Sequence, residues 1–299
     1  MTAHTYLPEF LVHLKAGNWQ CRCAGCRGEL PQLALSWRNH QRLSADIRCD
    51  AAARQILCRK DAFVLHSVDE QAWSDQPLSS QAQAMNQSVI NLLIANGHPL
   101  AIRLYAVAVL LSRTHPAASE AQIKQVEQEL QLLLEHGYLH NAFAELPLVA
   151  RYAHRALQQL GERTLDVNLD AVSGTRLMMK LNEVKVLNAG YQQQMLMTLR
   201  DNVAVQQGLA DRDVGWLNFL LYRCYHDLFP GNDATQWPQQ FMTLCADYNA
   251  LHTLVALLLQ EGIVLDDEMF AALVAGYLRG AQPLAEEKEA LLIGLALLK

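Results

Sequence analysis

The chain has 299 residues, 51% of them hydrophobic and 18% charged, with a net charge of −6. That apolar content suffices for a buried core and excludes a disordered or low-complexity chain. No basic stripe interleaved with aromatics is present, which excludes an ordinary nucleic-acid binder. In chain order, Leu7–Leu14 predicts a short helix, and Glu9 and His13 inside it argue against a secretion signal. Five of the seven cysteines follow within 38 residues, at Cys21, Cys23, Cys26, Cys49 and Cys58. Arg22, Arg27, Arg48, Arg54, Arg59 and Lys60 surround them. Cations favour thiolate over thiol, and thiolate is the form that binds metal. Four thiolates suffice for one Zn²⁺ or one iron–sulfur cluster. The expected ligands are Cys21, Cys26, Cys49 and Cys58. Cys23 is left spare, since a C-x-C pair seldom gives both thiolates to one small centre. Free reduced cysteines and structural disulfides are the competing readings. Leu30–Arg38 predicts a second short helix and Asp50–Leu57 a third, with Asp50 as its N-cap.

From about Ser80 onward the periodicity is helical throughout. Ala82–Ala95 carries Met85, Val89, Leu92 and Leu93 on one face. Pro99 opens an apolar helix to Arg113, and Arg103 within it needs a buried carboxylate or carbonyl partner. Ser119-x-x-Gln122 forms a capping box for a long helix closed by Gly137. Further helices are expected over Asn141–Leu160, with Pro147 as an alternative start, and over Leu177–Leu199 and Asp211–Phe229. Ala234–Gly262, read as one long helix with Pro238 as an alternative break, Asp266–Arg279 and Glu286–Leu298 complete the chain. Almost nothing alternates with period two. The expected fold is mainly α: a multi-helix bundle body of about eight helices over 79–299, with an N-terminal cysteine-rich metal- or cluster-binding subdomain over 1–78.

No GxGxxG, Walker A loop, HExxH or GxSxG is present, so an ordinary Rossmann-type cofactor site is not expected. The first cysteine gap rules out the C-x3-C-x2-C pattern of radical methyl-donor enzymes. Glu135, His136 and His140 invite a metal reading, but Gly137 breaks their helix, so surface histidines are expected. No apolar run reaches the ~20 residues of a membrane span, and a cytoplasmic protein is expected. Residues 1–115 carry 11 Lys/Arg against 8 Asp/Glu, whereas the remainder carries 13 against 22. The acidic part is suited to a lysine-bearing partner.

Several stretches resemble the flagellin lysine-N-methylase family. They are the cysteine-rich segment with Cys49–Leu57, the helix PLAIRLYAVAVLLSR with Arg103-Leu104, and Trp216–Pro230 with its Phe-Pro end. Phe241–Gly262 and the closing helix Asp266–Gly280, with its aromatic-x-Arg, complete the set. The resemblance implies methyl transfer to lysine of flagellin, S-adenosylmethionine as donor, and a [4Fe–4S] cluster in the cysteine segment, with Zn²⁺ as the alternative.

Lysine must lose a proton before it attacks a methyl group, so carboxylates and phenols are the useful side chains. Tyr222 and His226 share a helix face at i,i+4, as do Tyr248 and His252. The expected catalytic set is Tyr222, His226, Asp247 and Tyr248, lining one pocket between two antiparallel helices. The chain lacks the family's Cys-Cys pair and has Gly280-Ala281 where the closing helix usually leads into Glu-His. These departures motivate the rival reading, a non-enzymatic helical adaptor with a structural metal.

Overall fold

The computed structural model describes residues 4–17, 20–30, 32–37, 40–68 and 78–299. The N-terminal part is not purely irregular. It builds a four-stranded sheet from β1 (His4–Pro8), β2 (Gln32–Trp37), β3 (His40–Ala45) and β4 (Leu65–Val68) in the order β2-β3-β1-β4. β1 and β3 run parallel, with Tyr6 opposite Arg42, and the two outer strands pair antiparallel. The helix expected over Leu30–Arg38 is therefore strand β2, and Arg38 lies outside the described residues. A short apolar run does not by itself separate helix from strand. Pairing with β3 decides it. β3 escapes an alternation search for another reason: Gln41 through Ala45 are all buried, so both of its faces are covered.

The N-terminal part also holds two helices. α1 (Glu9–Ala16) starts two residues later than expected because Leu7 and Pro8 belong to β1. α2 (Asp50–Leu57) has the expected bounds, but its N-cap is Cys49 and not Asp50.

The body is helical, with twelve helices among the described residues where about eight were expected. α3 (Ser80–Leu93), α4 (Leu100–Arg113) and α5 (Glu120–Glu135) follow the expected pattern. The Ser119–Gln122 capping box forms in both directions. Arg103 donates to the carbonyls of His98 at 2.7 Å and Leu93 at 2.8 Å. Beyond α5, caps and prolines split the longer expected helices. α6 (Tyr138–Glu145) and α7 (Ala150–Glu162) part around Pro147. α8 (Ala171–Val186) and α9 (Ala189–Asp201) part at Asn188, whose side chain caps Gly190 and Tyr191. α10 (Val203–Ala210) is an extra helix capped by Asn202.

α11 (Asp213–Tyr225) stops before Leu228, which takes a left-handed φ of 56°. α12 (Trp237–Gln260) runs unbroken, because Pro238 falls in its first turn where no N–H partner is needed. α13 (Asp267–Arg279) and α14 (Ala290–Leu297) close the fold. The helical stretch Ala234–Gln260 is long and apolar enough to cross a membrane by length and composition, because polar residues interrupt its apolar runs without lowering the average much. In the fold, 56% of its apolar window is buried, against α14, α10 and α8 among others.

One apolar cluster joins the two parts. Phe10, Ile56 and Leu57 belong to the same buried set as Phe219, Leu254 and Phe270. α2 packs on α13 and α11, which brings the C-terminal end of α13 against Arg48 and Asp50, on either side of Cys49.

Candidate metal centre and its groove

Cys21, Cys23 and Cys26 sit on the loop between α1 and β2, and Cys49 sits at the mouth of α2. Their four sulfurs all lie within 4.8 Å of one another. Cys23 Sγ is 3.7 Å from Cys26 Sγ, and Cys49 Sγ is 3.8 Å from Cys21 Sγ. The closeness depends on one glycine. A Cβ at Gly25 would lie 2.1 Å from the Arg48 carbonyl oxygen, so the loop touches the backbone leading into Cys49.

The surroundings stabilise negative charge on one of the four sulfurs, Cys23. The Asp50 N–H, at the positive end of α2, donates to Cys23 Sγ at 3.4 Å. Burial pushes the Cys23 thiol up, but this and other hydrogen bonds outweigh it and hold the group below its ordinary value. Burial keeps the Cys26 and Cys49 thiols above theirs. Arg279, at the end of α13, brings a cation to the same place. Its Nη1 donates to the Arg48 carbonyl at 2.6 Å and to Asp50 Oδ1 at 2.7 Å, and its Nη2 to the Asp166 carbonyl at 2.5 Å.

The donor set fits a four-thiolate metal centre. A tetrahedral ion with bonds of about 2.3 Å separates its sulfurs by roughly 3.8 Å, the spacing of both close pairs. A [4Fe–4S] cube binds each thiolate through a different iron and asks for wider separation.

The expected ligand set needs one exchange: Cys23 joins the group, and Cys58 does not. Cys49 and Cys58 flank opposite ends of α2. Nine residues of helix span about 13 Å, so the two sulfurs cannot share one small centre. Cys58 instead donates to the Asp267 carbonyl at 3.5 Å, and burial pushes its thiol up to about 12.

A cavity of about 610 Å³ opens beside the centre. Cys21, Cys23, Arg22 and Arg54 line one part of it, and Asn168 and Glu268 another. Cys21 and Cys23 are partly exposed, whereas Cys26 and Cys49 are buried, so the centre presents one sulfur edge outward. Asp50 and Gln55 also line the cavity. Asp50 Oδ2 and Gln55 Oε1 are buried acceptors with no donor among the described residues.

The four residues expected to share a catalytic pocket fall into three environments. Tyr222 and His226 do share a face, with rings stacked 4.6 Å apart. That face meets the sheet region. The Tyr222 hydroxyl donates to the Ala45 carbonyl and accepts from Ile47 N–H, each at 3.2 Å. His226 Nδ1 lies 2.8 Å from Ser44 Oγ, and burial holds its ring below the usual imidazole range. Tyr248 packs edge-on to Trp216, 5.9 Å away. Only Asp247 lines a described cavity, one of about 320 Å³.

Sequence reasoning missed the partners of Asp247. It accepts from Arg223 Nη1 and from the Tyr277 hydroxyl, each at 2.9 Å, and the Arg163 guanidinium lies 4.0 Å from the Tyr277 ring centre. Also missed was the buried joint between Arg42, Asn86 and the end of α11. There Asn86 donates to the carbonyls of Cys224 at 2.8 Å and Phe229 at 2.6 Å. The one available signal was the aromatic-x-Arg of the closing helix, which contains Tyr277 and Arg279. Glu135, His136 and His140 do not form a ligand group, and the His140 ring packs on His98 instead.

A family model described as the FliB lysine N-methylase C-terminal domain matches residues 86–292, from α3 into α14. The cysteine loop lies outside the matched residues. No curated protein and no solved structure matches the chain significantly.

Proposed function

Because the chain belongs to the FliB lysine N-methylase family, we propose that it is a cytoplasmic enzyme methylating lysines of flagellin, with S-adenosylmethionine as donor. The family match over most of the helical body carries this reading. In the reaction the neutral amine's lone pair forms the N–CH₃ bond while the S–CH₃ bond breaks. The sulfonium becomes a thioether, and the amine's proton leaves to a base. Holding donor and acceptor in line supplies much of the rate. A carboxylate that takes the proton contributes ~10²–10⁴-fold.

Two carboxylates suit that role. Glu268 lines the cavity at the cysteine centre and has no ion-pair partner among the described residues. Asp247 lines the second cavity but already serves Arg223 and Tyr277. We therefore place the acceptor lysine at Glu268. Cys21, Cys23, Cys26 and Cys49 would hold the metal. The 3.7 and 3.8 Å spacings support a single Zn²⁺, with the [4Fe–4S] cluster as the alternative. The group, when bound, would fix the loop that forms one side of the cavity.

Methyl transfer to purified flagellin, followed by mass spectrometry, tests the reading. Glu268→Gln is expected to slow transfer, and Asp247→Asn and Tyr248→Phe to leave it near native. Loss only in Asp247→Asn moves the lysine to the second cavity. The adaptor reading also has an observation behind it: Arg279 ties Arg48 and Asp50, on either side of Cys49, to Asp166 as a structural staple would. Flagellin bound without any methyl transfer would establish that reading instead.

A further inference from the structure

We propose that Glu9, His13 and Asp61 form a second metal site, for a divalent transition ion, separate from the cysteine centre. One nitrogen or oxygen atom from each lies within 4.8 Å of those of the other two. Glu9 and His13 are one turn apart on α1, so they share a face. Asp61 comes from the turn between α2 and β4. An imidazole with two carboxylates is a donor set that holds Zn²⁺ and its first-row neighbours. Three protein ligands leave a position for water or another small ligand. The proposal is independent of the methylase reading.

The backbone sets these donors in place. Glu9 N–H donates to the Val64 carbonyl at 2.9 Å, and Phe10 N–H to the Ala62 carbonyl at 3.2 Å. The start of α1 is thereby fixed on the turn that carries Asp61. Val64 N–H closes that turn on the Asp61 carbonyl at 2.9 Å. Pairing of β1 with β4 sets His66 opposite Leu7, two residues before Glu9. Each Glu9 oxygen then has its own imidazole. His13 Nε2 lies 3.0 Å from Oε1, and His66 Nε2 lies 2.5 Å from Oε2. Bonds of about 2.0–2.2 Å to one ion put neighbouring ligand atoms roughly 3.0–3.5 Å apart, which the Glu9–His13 pair already matches. His66 is the outer partner that orients the ligating carboxylate.

The cluster is also open to an ion. All four side chains are partly exposed. His13 lines the groove beside Cys21 and Cys23 as well, so the site borders that groove. Arg59 is the competing cation. Its Nε and Nη2 each donate to Asp61 at 2.9 Å. An exposed ion pair holds weakly, and a divalent ion between Glu9 and Asp61 would displace it. This competition distinguishes a metal site from a plain ion-pair network: losing Arg59 frees Asp61 for the ion.

The test is metal counting on the full chain with its cysteine centre filled. Equilibrium dialysis against Zn²⁺ buffered in the micromolar range, followed by elemental analysis, gives the uptake. The native chain is expected to bind one Zn²⁺ beyond the metal of the cysteine centre, and to melt at higher temperature as free Zn²⁺ rises. His13→Gln and Asp61→Asn are expected to weaken that uptake about tenfold or more, and His66→Gln about tenfold. Arg59→Gln is expected to strengthen it several-fold. Far-UV circular dichroism checks that each variant is folded, and all four changes fall on partly exposed side chains. No additional Zn²⁺ in the native chain, additional Zn²⁺ that persists at native affinity in both His13→Gln and Asp61→Asn, or uptake not strengthened in Arg59→Gln would overturn the assignment.

Discussion

Gly25→Ala is the smallest change that should open the cysteine centre. The added methyl would lie 2.1 Å from the Arg48 carbonyl oxygen, 2.5 Å from its carbon and 2.9 Å from Cys49 N. All three are backbone atoms, so no side chain can swing aside. A tolerable contact needs the loop to retreat by about 1 Å in a close-packed interior. Gly25 lies between Cys23 and Cys26, and Arg48 precedes Cys49, so the retreat pulls two sulfurs away from a third. Metal–sulfur bonds tolerate only about 0.2 Å. Overpacking of this kind costs about 1–3 kcal/mol. Expressed wholly at the metal, that is roughly a 5- to 150-fold loss of affinity. Competition with a chromophoric chelator measures it, and far-UV circular dichroism checks that the body stays helical. Gly28→Ala is the comparison. Gly28 takes a positive φ, 92°, but its added methyl would meet nothing within 4 Å. It should cost backbone strain and keep the metal more tightly. Native metal affinity in Gly25→Ala, or a loss no larger than in Gly28→Ala, would refute the reasoning.

Arg279→Met should strip the α13 clamp and leave the Asp50 carboxylate, whose side chain is only 15% exposed, without its ion pair. A loss of about 3 kcal/mol is expected, read as a lower urea midpoint at unchanged slope; an unshifted midpoint would count against the clamp. Burial pushes the His252 imidazole down to about 4. The unfolded chain binds this proton first, so stability should be full above pH 6.5, fall by about 3 kcal/mol as pH drops to about 4, and then level off. His252→Phe keeps a ring against Trp216 and should flatten that fall; an unchanged pH profile would remove His252 as its source. Binding to flagellin should weaken as salt rises from 50 to 500 mM if the acidic residues after 115 attract its lysines, because exposed charges are screened within ~10 Å at 0.1 M. Salt-independent affinity, or binding unaffected by charge reversal on the body, would exclude that attraction.

The sequence alone was sufficient for what depends on near neighbours. Apolar spacing marked most of the body helices, and Ser119 and Gln122 marked a start that forms as read. Arg103, stranded in an apolar helix, had to find carbonyls and does. Five cysteines crowded among arginines pointed to a shared sulfur site, and four of them do come together. The bounds of α2 even held the clue to the wrong ligand, since cysteines at both ends of a helix cannot meet. What the sequence could not supply is who stands opposite whom. Cys21 meets Cys49 across 28 positions, Tyr277 meets Asp247 across 30, and Arg279 meets Asp50 across 229. Such pairs leave no periodic trace, because the residues between them contribute no signal to either partner. Strand β3 is silent for a related reason: covered on both faces, it does not alternate. Only the packing of α2 between α11 and α13 closes the cysteine loop, leaves two acceptors on α2 unsatisfied and opens a groove beside them.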